Sequence, residues 1–195
     1  MLALALTFFL IANPIGNCPA IISLVKGFDF NRQRIILLRE SFFALLLALF
    51  FQYFGEIFLS FLHIQDYVVR ITGGLLLSLV AIGMIFPIKK NRDETRSKDA
   101  PEPYIVPIAT PIISGPGLLA IIMLKSSLVG DSLLVSGAIL IAWIGVTAIM
   151  AIAPYLQKIL GDRGLSALES VMGMILALMA VEMLVNGISG LLKVL

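Results

Sequence analysis

Residues 12–20 read Ala12-Asn13-Pro14-Ile15-Gly16-Asn17-Cys18-Pro19-Ala20, and residues 109–117 read Ala109-Thr110-Pro111-Ile112-Ile113-Ser114-Gly115-Pro116-Gly117. Each segment sets a polar residue before a proline, then a glycine, then a second proline. Proline removes a backbone donor and its ring clashes with the preceding turn, while glycine loosens the chain, so each segment predicts a break in a helix.

Both segments lie inside long apolar runs. Residues 2–25, 71–88, 103–124 and 132–157 hold no Asp, Glu, Lys, Arg or His, and two further runs, 41–62 and 170–192, carry one carboxylate each, Glu56 and Glu182. Each run approaches or exceeds the roughly 20 residues a helix needs to cross the hydrocarbon layer. Apolar residues make up 59% of the chain and charged residues 13%, against roughly a quarter charged in a soluble domain. The runs are apolar on every side rather than along one stripe, as expected for helices in lipid. No period-two alternation points to a β-barrel. The expected fold is therefore an all-α membrane protein of six transmembrane helices with no soluble domain. Nothing basic precedes the first run, so it reads as a retained span rather than a cleaved leader.

The same composition excludes several functions. The net charge of +2 is no footprint for nucleic acid. A lone His63 and a lone Cys18 cannot build a His-based catalytic or metal cluster or an internal disulfide. No enzyme activity, cofactor or metal is expected. The expected partners are the lipid bilayer and a small-molecule solute, with H+ or Na+ as the coupling ion.

Lys and Arg set the orientation. Four fall in the first loop (Lys26, Arg32, Arg34, Arg39), five in the third (Lys89, Lys90, Arg92, Arg96, Lys98) and two in the fifth (Lys158, Arg163), leaving Arg70, Lys125 and Lys193 on the other side. The positive-inside rule makes the odd loops cytoplasmic and puts both termini outside. The charged stretch 89–103 reads as a cytoplasmic linker.

The two proline-glycine elements belong to an internal repeat. At an offset of 99 positions Gly74, Leu79, Ala81 and Met84 fall on Gly173, Leu178, Ala180 and Met183. The chain thus reads as two three-helix units, 1–88 and 104–195. An odd number of crossings per unit inverts the second copy, an architecture that secondary transporters use for alternating access. The elements fall near the middle of spans 1 and 4, where main chain without helical partners is tolerated only inside protein or beside a watery cavity. Half-helix N-termini there favour a carboxylate, and the opposing carbonyls favour a cation or ammonium group. The candidate solute site is Asn13, Pro14, Gly16, Asn17, Thr110, Pro111, Ser114, Gly115 and Gly117. Cys18 is the native thiol whose reactivity should report water there.

Glu182 lies within span 6, one turn before Asn186 on the same face. A charge at a helix centre costs on the order of 3 kcal/mol to insert. Glu182 is expected to face the interior and, with Asn186, to serve ion coupling. Glu56 and Arg70 are expected to pair across the short turn between spans 2 and 3.

Asn13 to Pro19, Pro107 to Gly117, and Arg70-Ile71-Thr72-Gly73-Gly74 together resemble the MarC family of prokaryotic inner-membrane proteins, over essentially the whole chain. The resemblance implies a multi-pass inner-membrane location and transport of small neutral amino acids such as glycine and alanine. A passive pore, or a structural membrane subunit without transport activity, remains an alternative to a transporter.

Overall fold

The computed structural model describes residues 1–25, 27–86, 103–105 and 108–194. Nearly all of the expected linker 89–103, with its five basic residues, lies outside them, as do Lys26 and Pro107. The elements are α1 (Leu2–Ala12), α2 (Cys18–Val25), α3 (Phe30–Phe61), α4 (Asp66–Ile85), a wide turn at Ile108–Ile113, α5 (Pro116–Val129) and α6 (Ser132–Leu192).

Four helical stretches are long and apolar enough to cross a membrane: Phe30–Gly55, Asp66–Ile85, Ser132–Leu156 and Arg163–Leu192. The first and fourth of the six expected spans are not continuous rods. Leu2–Ala12 and Pro116–Val129 are shorter apolar helices, and at about 1.5 Å per residue neither reaches across the hydrocarbon layer alone.

The breaks fall at the residues that precede proline, where the ring disfavours the right-handed helical conformation. The chain resolves the two cases differently. Asn13 ends α1 in the left-handed region, with φ 47° and ψ 50°, a conformation that asparagine tolerates better than most residues. Thr110 is instead extended, with φ −137° and ψ 134°. Around it Thr110 N reaches Ile105 O at 3.1 Å and Ser114 N reaches Ala109 O at 2.8 Å, five-residue spacings that widen the turn. Helix resumes in each half with a proline in its first turn, Pro19 in α2 and Pro116 in α5. The missing N–H costs little there.

Spans 5 and 6 were expected to be joined by a charged loop. Helix continues through that region, broken only at Gly161, whose φ of 63° and ψ of 179° suit glycine alone. This break divides α6 into two arms.

Polar side chains join α3 antiparallel to the first arm. Trp143 Nε1 donates to Ser41 O at 2.8 Å, Ser41 Oγ meets Thr147 Oγ1 at 2.9 Å, and Gln52 Nε2 donates to Ser132 O at 2.8 Å. Such bonds substitute for the hydrophobic driving force that lipid removes. The α4 helix runs antiparallel to the second arm at close range. A Cβ built on Gly74 would lie 3.0 Å from the carbonyl oxygen of Ala180, and one built on Gly173 would lie 3.2 Å from that of Ala81. The two contacts are reciprocal: each glycine and each alanine has its counterpart 99 positions along the chain.

Candidate functional site

The two breaks touch. Asn17 Nδ2 donates to Ala12 O at 3.1 Å, across its own break, and to Ile112 O at 3.0 Å, in the other one. These carbonyls lack helical partners because the chain is interrupted, and each keeps a second lone pair. Asn13, fully buried, is fixed at both ends of its amide: Oδ1 accepts from Gly16 N at 3.2 Å, and Nδ2 donates to Met84 Sδ at 3.2 Å.

A cavity of about 390 Å³ opens between the breaks. Asn13 and Asn17 line it from one half, Gly115 and Gly117 from the other, with α4 and Leu176 as apolar wall. The first turn of α5, from Pro116 to Leu118, faces this space. Its free N–H groups and the positive end of the helix dipole suit an anion such as a carboxylate. The cavity is in the size range of small-molecule sites.

Four of the nine expected site residues therefore line the cavity: Asn13, Asn17, Gly115 and Gly117. Gly16 is buried against the Asn13 amide and does not line the cavity. Pro14 is buried, and its carbonyl accepts from Cys18 Sγ at 3.2 Å. Thr110 is half-buried and is not among the residues lining this space, and the side chain of Pro111 lies outside what the structure describes. Ser114 corrects the expectation. It is fully buried and its hydroxyl donates to Ala44 O at 2.8 Å, so it ties the second break to α3 instead of facing a solute. Cys18 is also fully buried, so its thiol does not report on the cavity in this conformation.

The expected ion-coupling pair is not assembled. Glu182 is exposed on the outer wall of the second arm rather than facing the interior. Its neighbours Met183 and Gly187 take the buried positions, because the close approach to α4 needs that face. Asn186 lines a different cavity, of about 710 Å³, at the end of the bundle that holds the α3–α4 turn, together with His63, Asp66, Arg70 and Lys193. Arg70 has no hydrogen-bond or ion-pair partner among the described residues, and the side chain of Glu56 is not described.

Glu40 was missed by the sequence reading. Its side chain is fully buried, Oε1 pairs with Arg39 at 3.0 Å, and Oε2 has no hydrogen-bond partner. Arg39 also donates to the carbonyl of Pro103 and lies over the Tyr104 ring, 4.7 Å from its centroid. The pair holds Pro103 and Tyr104, a few residues ahead of the second break. The one available signal was the Arg39-Glu40 doublet at the border of an apolar run, where the arginine counted only as a loop charge.

A family model described as "MarC family integral membrane protein" matches residues 1–192. The chain belongs to the MarC family. Its relatives include a UPF0056 membrane protein of Buchnera aphidicola subsp. Schizaphis graminum, 36% identical over 194 residues, covering 99% of this chain and 98% of the relative. The UPF0056 inner membrane protein YhgN of Escherichia coli K12 is 38% identical over 190 residues, covering 96% and 95%. A UPF0056 membrane protein of Chlamydia trachomatis is 36% identical over 192 residues, covering 95% and 91%. No solved structure matches. MarC membership makes this an integral membrane protein, in agreement with its apolar helices.

Proposed function

We propose that this MarC protein is a secondary transporter of a small polar or zwitterionic solute. It is built as two three-helix units of opposite topology, 1–88 and 104–195, joined by the charged segment 89–103. In this reading the chain crosses the membrane six times, the broken α1–α2 and 108–129 segments counting as spans. The reciprocal Gly74–Ala180 and Gly173–Ala81 contacts support the inverted repeat. The distribution of Lys and Arg argues for both termini outside, and the Escherichia coli relative is named as an inner membrane protein.

One observation carries the proposal: the two interrupted segments meet through Asn17 and Ile112 and line one cavity. Freed main chain at that place can bind both ends of a zwitterion. The first turn of α5 receives a carboxylate, and the carbonyl of Ile112 receives an ammonium group. Glycine and alanine fit the size and polarity, with H+ or Na+ as the coupling ion, and no catalytic step is assigned.

Counterflow tests it. Purified protein in liposomes loaded with unlabelled glycine or alanine should accumulate labelled solute transiently, with saturating kinetics. Flux that neither saturates nor shows counterflow makes the protein a passive pore. No flux of any small neutral amino acid, with the protein folded, removes transport of this solute class and leaves a structural role.

A further inference from the structure

The end cavity, about 710 Å³, shares no lining residue with the central one. Two local features shape it. His63 closes α3 in the left-handed region, with φ 54°, its N–H on Ser60 O at 3.1 Å and that of Ile64 on Leu59 O at 2.9 Å. The chain thus reverses within a few residues into α4. Glycines then bring the last turns of α6 against the first turns of α4: a Cβ built on Gly187 would lie 3.1 Å from Arg70 Cβ, and one built on Gly190 would lie 3.1 Å from Tyr67 Cβ. Lys193 follows Gly190 by one turn and lines the same cavity as His63 and Arg70.

Arg70 and Lys193 reach this space from different helices, and neither side chain has a hydrogen-bond or ion-pair partner among the described residues. Arg70 is half-buried, so its guanidinium has given up part of its hydration without gaining a counter-charge. Among the described residues the lining holds one carboxylate, Asp66, and it pairs with neither cation. Gln65, Asn186 and Ser189 add neutral donors. A guanidinium offers a fork of N–H groups to two oxygens of one ligand, and an ammonium offers a point charge to a third.

We propose that the end cavity is a binding site for a phosphate oxyanion, held by Arg70 and Lys193. A tetrahedral group suits two cations on separate helices better than a planar carboxylate does, because its oxygens point in more than one plane. Arg70 lies in the first turns of the span Asp66–Ile85, near the depth of lipid headgroups. The phosphodiester of an anionic phospholipid and free phosphate share the chemistry the site recognises. The site stands whatever crosses the central cavity.

Thermal unfolding of the purified full chain in an uncharged detergent tests it. Inorganic phosphate is titrated against sodium chloride of equal ionic strength, and phosphatidylglycerol in mixed micelles against diacylglycerol, which has no phosphate. At least one phosphate probe should raise the unfolding midpoint saturably above its control. A rise with phosphatidylglycerol alone makes the occupant a lipid headgroup, and a rise with inorganic phosphate makes it a soluble anion. Arg70→Gln and Lys193→Gln should each weaken the apparent affinity by about tenfold or more, while Asp66→Asn, which removes the opposing charge, should bind at least as tightly as the parent. Lys193 is exposed, so Lys193→Gln decides the matter even if Arg70→Gln does not fold. No rise with either probe, parent affinity in either glutamine variant, or weaker binding in Asp66→Asn overturns the site.

Discussion

The side-chain amide of Asn17 donates to the main-chain carbonyl of Ile112 at 3.0 Å, and the two residues are 95 positions apart. One hydrogen bond thereby joins the two places where the chain gives up helical pairing. Neither break is left to satisfy its own polar groups in an apolar surrounding, where an unpaired carbonyl is costly.

Asn17→Ala removes this bond and the one to Ala12 O. The expected loss is about 1–3 kcal/mol of stability, read as a lower midpoint of thermal unfolding in detergent, together with loss of counterflow. Wild-type counterflow in Asn17→Ala would show that the solute binds elsewhere.

Ser114→Ala should separate structure from binding. The hydroxyl is committed to Ala44 O, so the substitution should cost roughly 0.5–1.5 kcal/mol of stability and leave the apparent KM for alanine unchanged. A raised KM without a stability change would return Ser114 to the solute site.

Glu182 and Glu40 should behave oppositely. Glu182 is exposed on the outer wall, and Glu182→Gln is expected to leave both flux and its pH dependence unaltered. Glu40 is fully buried against Arg39, and Glu40→Ala is expected to cost about 1.5–3 kcal/mol, the worth of hydrogen bonds to a charged group. Unfolding midpoints and counterflow over a pH series check both, and a pH profile flattened by Glu182→Gln would restore its coupling role.

Gly74→Ala and Gly173→Ala probe the repeat. Each adds a methyl 3.0 or 3.2 Å from a carbonyl oxygen of the facing helix, an overpacking expected to cost about 1–3 kcal/mol. Because the contacts are reciprocal, the two losses measured by unfolding should be similar. A large loss at one site and none at the other would count against equivalent halves.

The class of protein and the positions of the breaks were legible in the sequence because both depend on local chemistry. Uninterrupted apolar runs leave a helix no soluble surroundings, and a proline disfavours helix in the residue before it whatever lies around. Asn13 and Thr110 were readable for that reason. The directions of side chains were not. Ser114 turns to α3, Glu182 turns outward and Glu40 turns inward because neighbouring helices choose which face of each helix is covered, and no local pattern in an all-apolar helix encodes that choice.

By itself the sequence determined the membrane environment, the helical class, the two interruptions and the 99-residue correspondence between α4 and the second arm of α6. The tertiary structure decided that the interruptions meet and that Asn17 bridges them. The physical reason is range: backbone sterics and hydrophobicity act within a few residues, whereas a contact across 95 positions exists only once the helices pack.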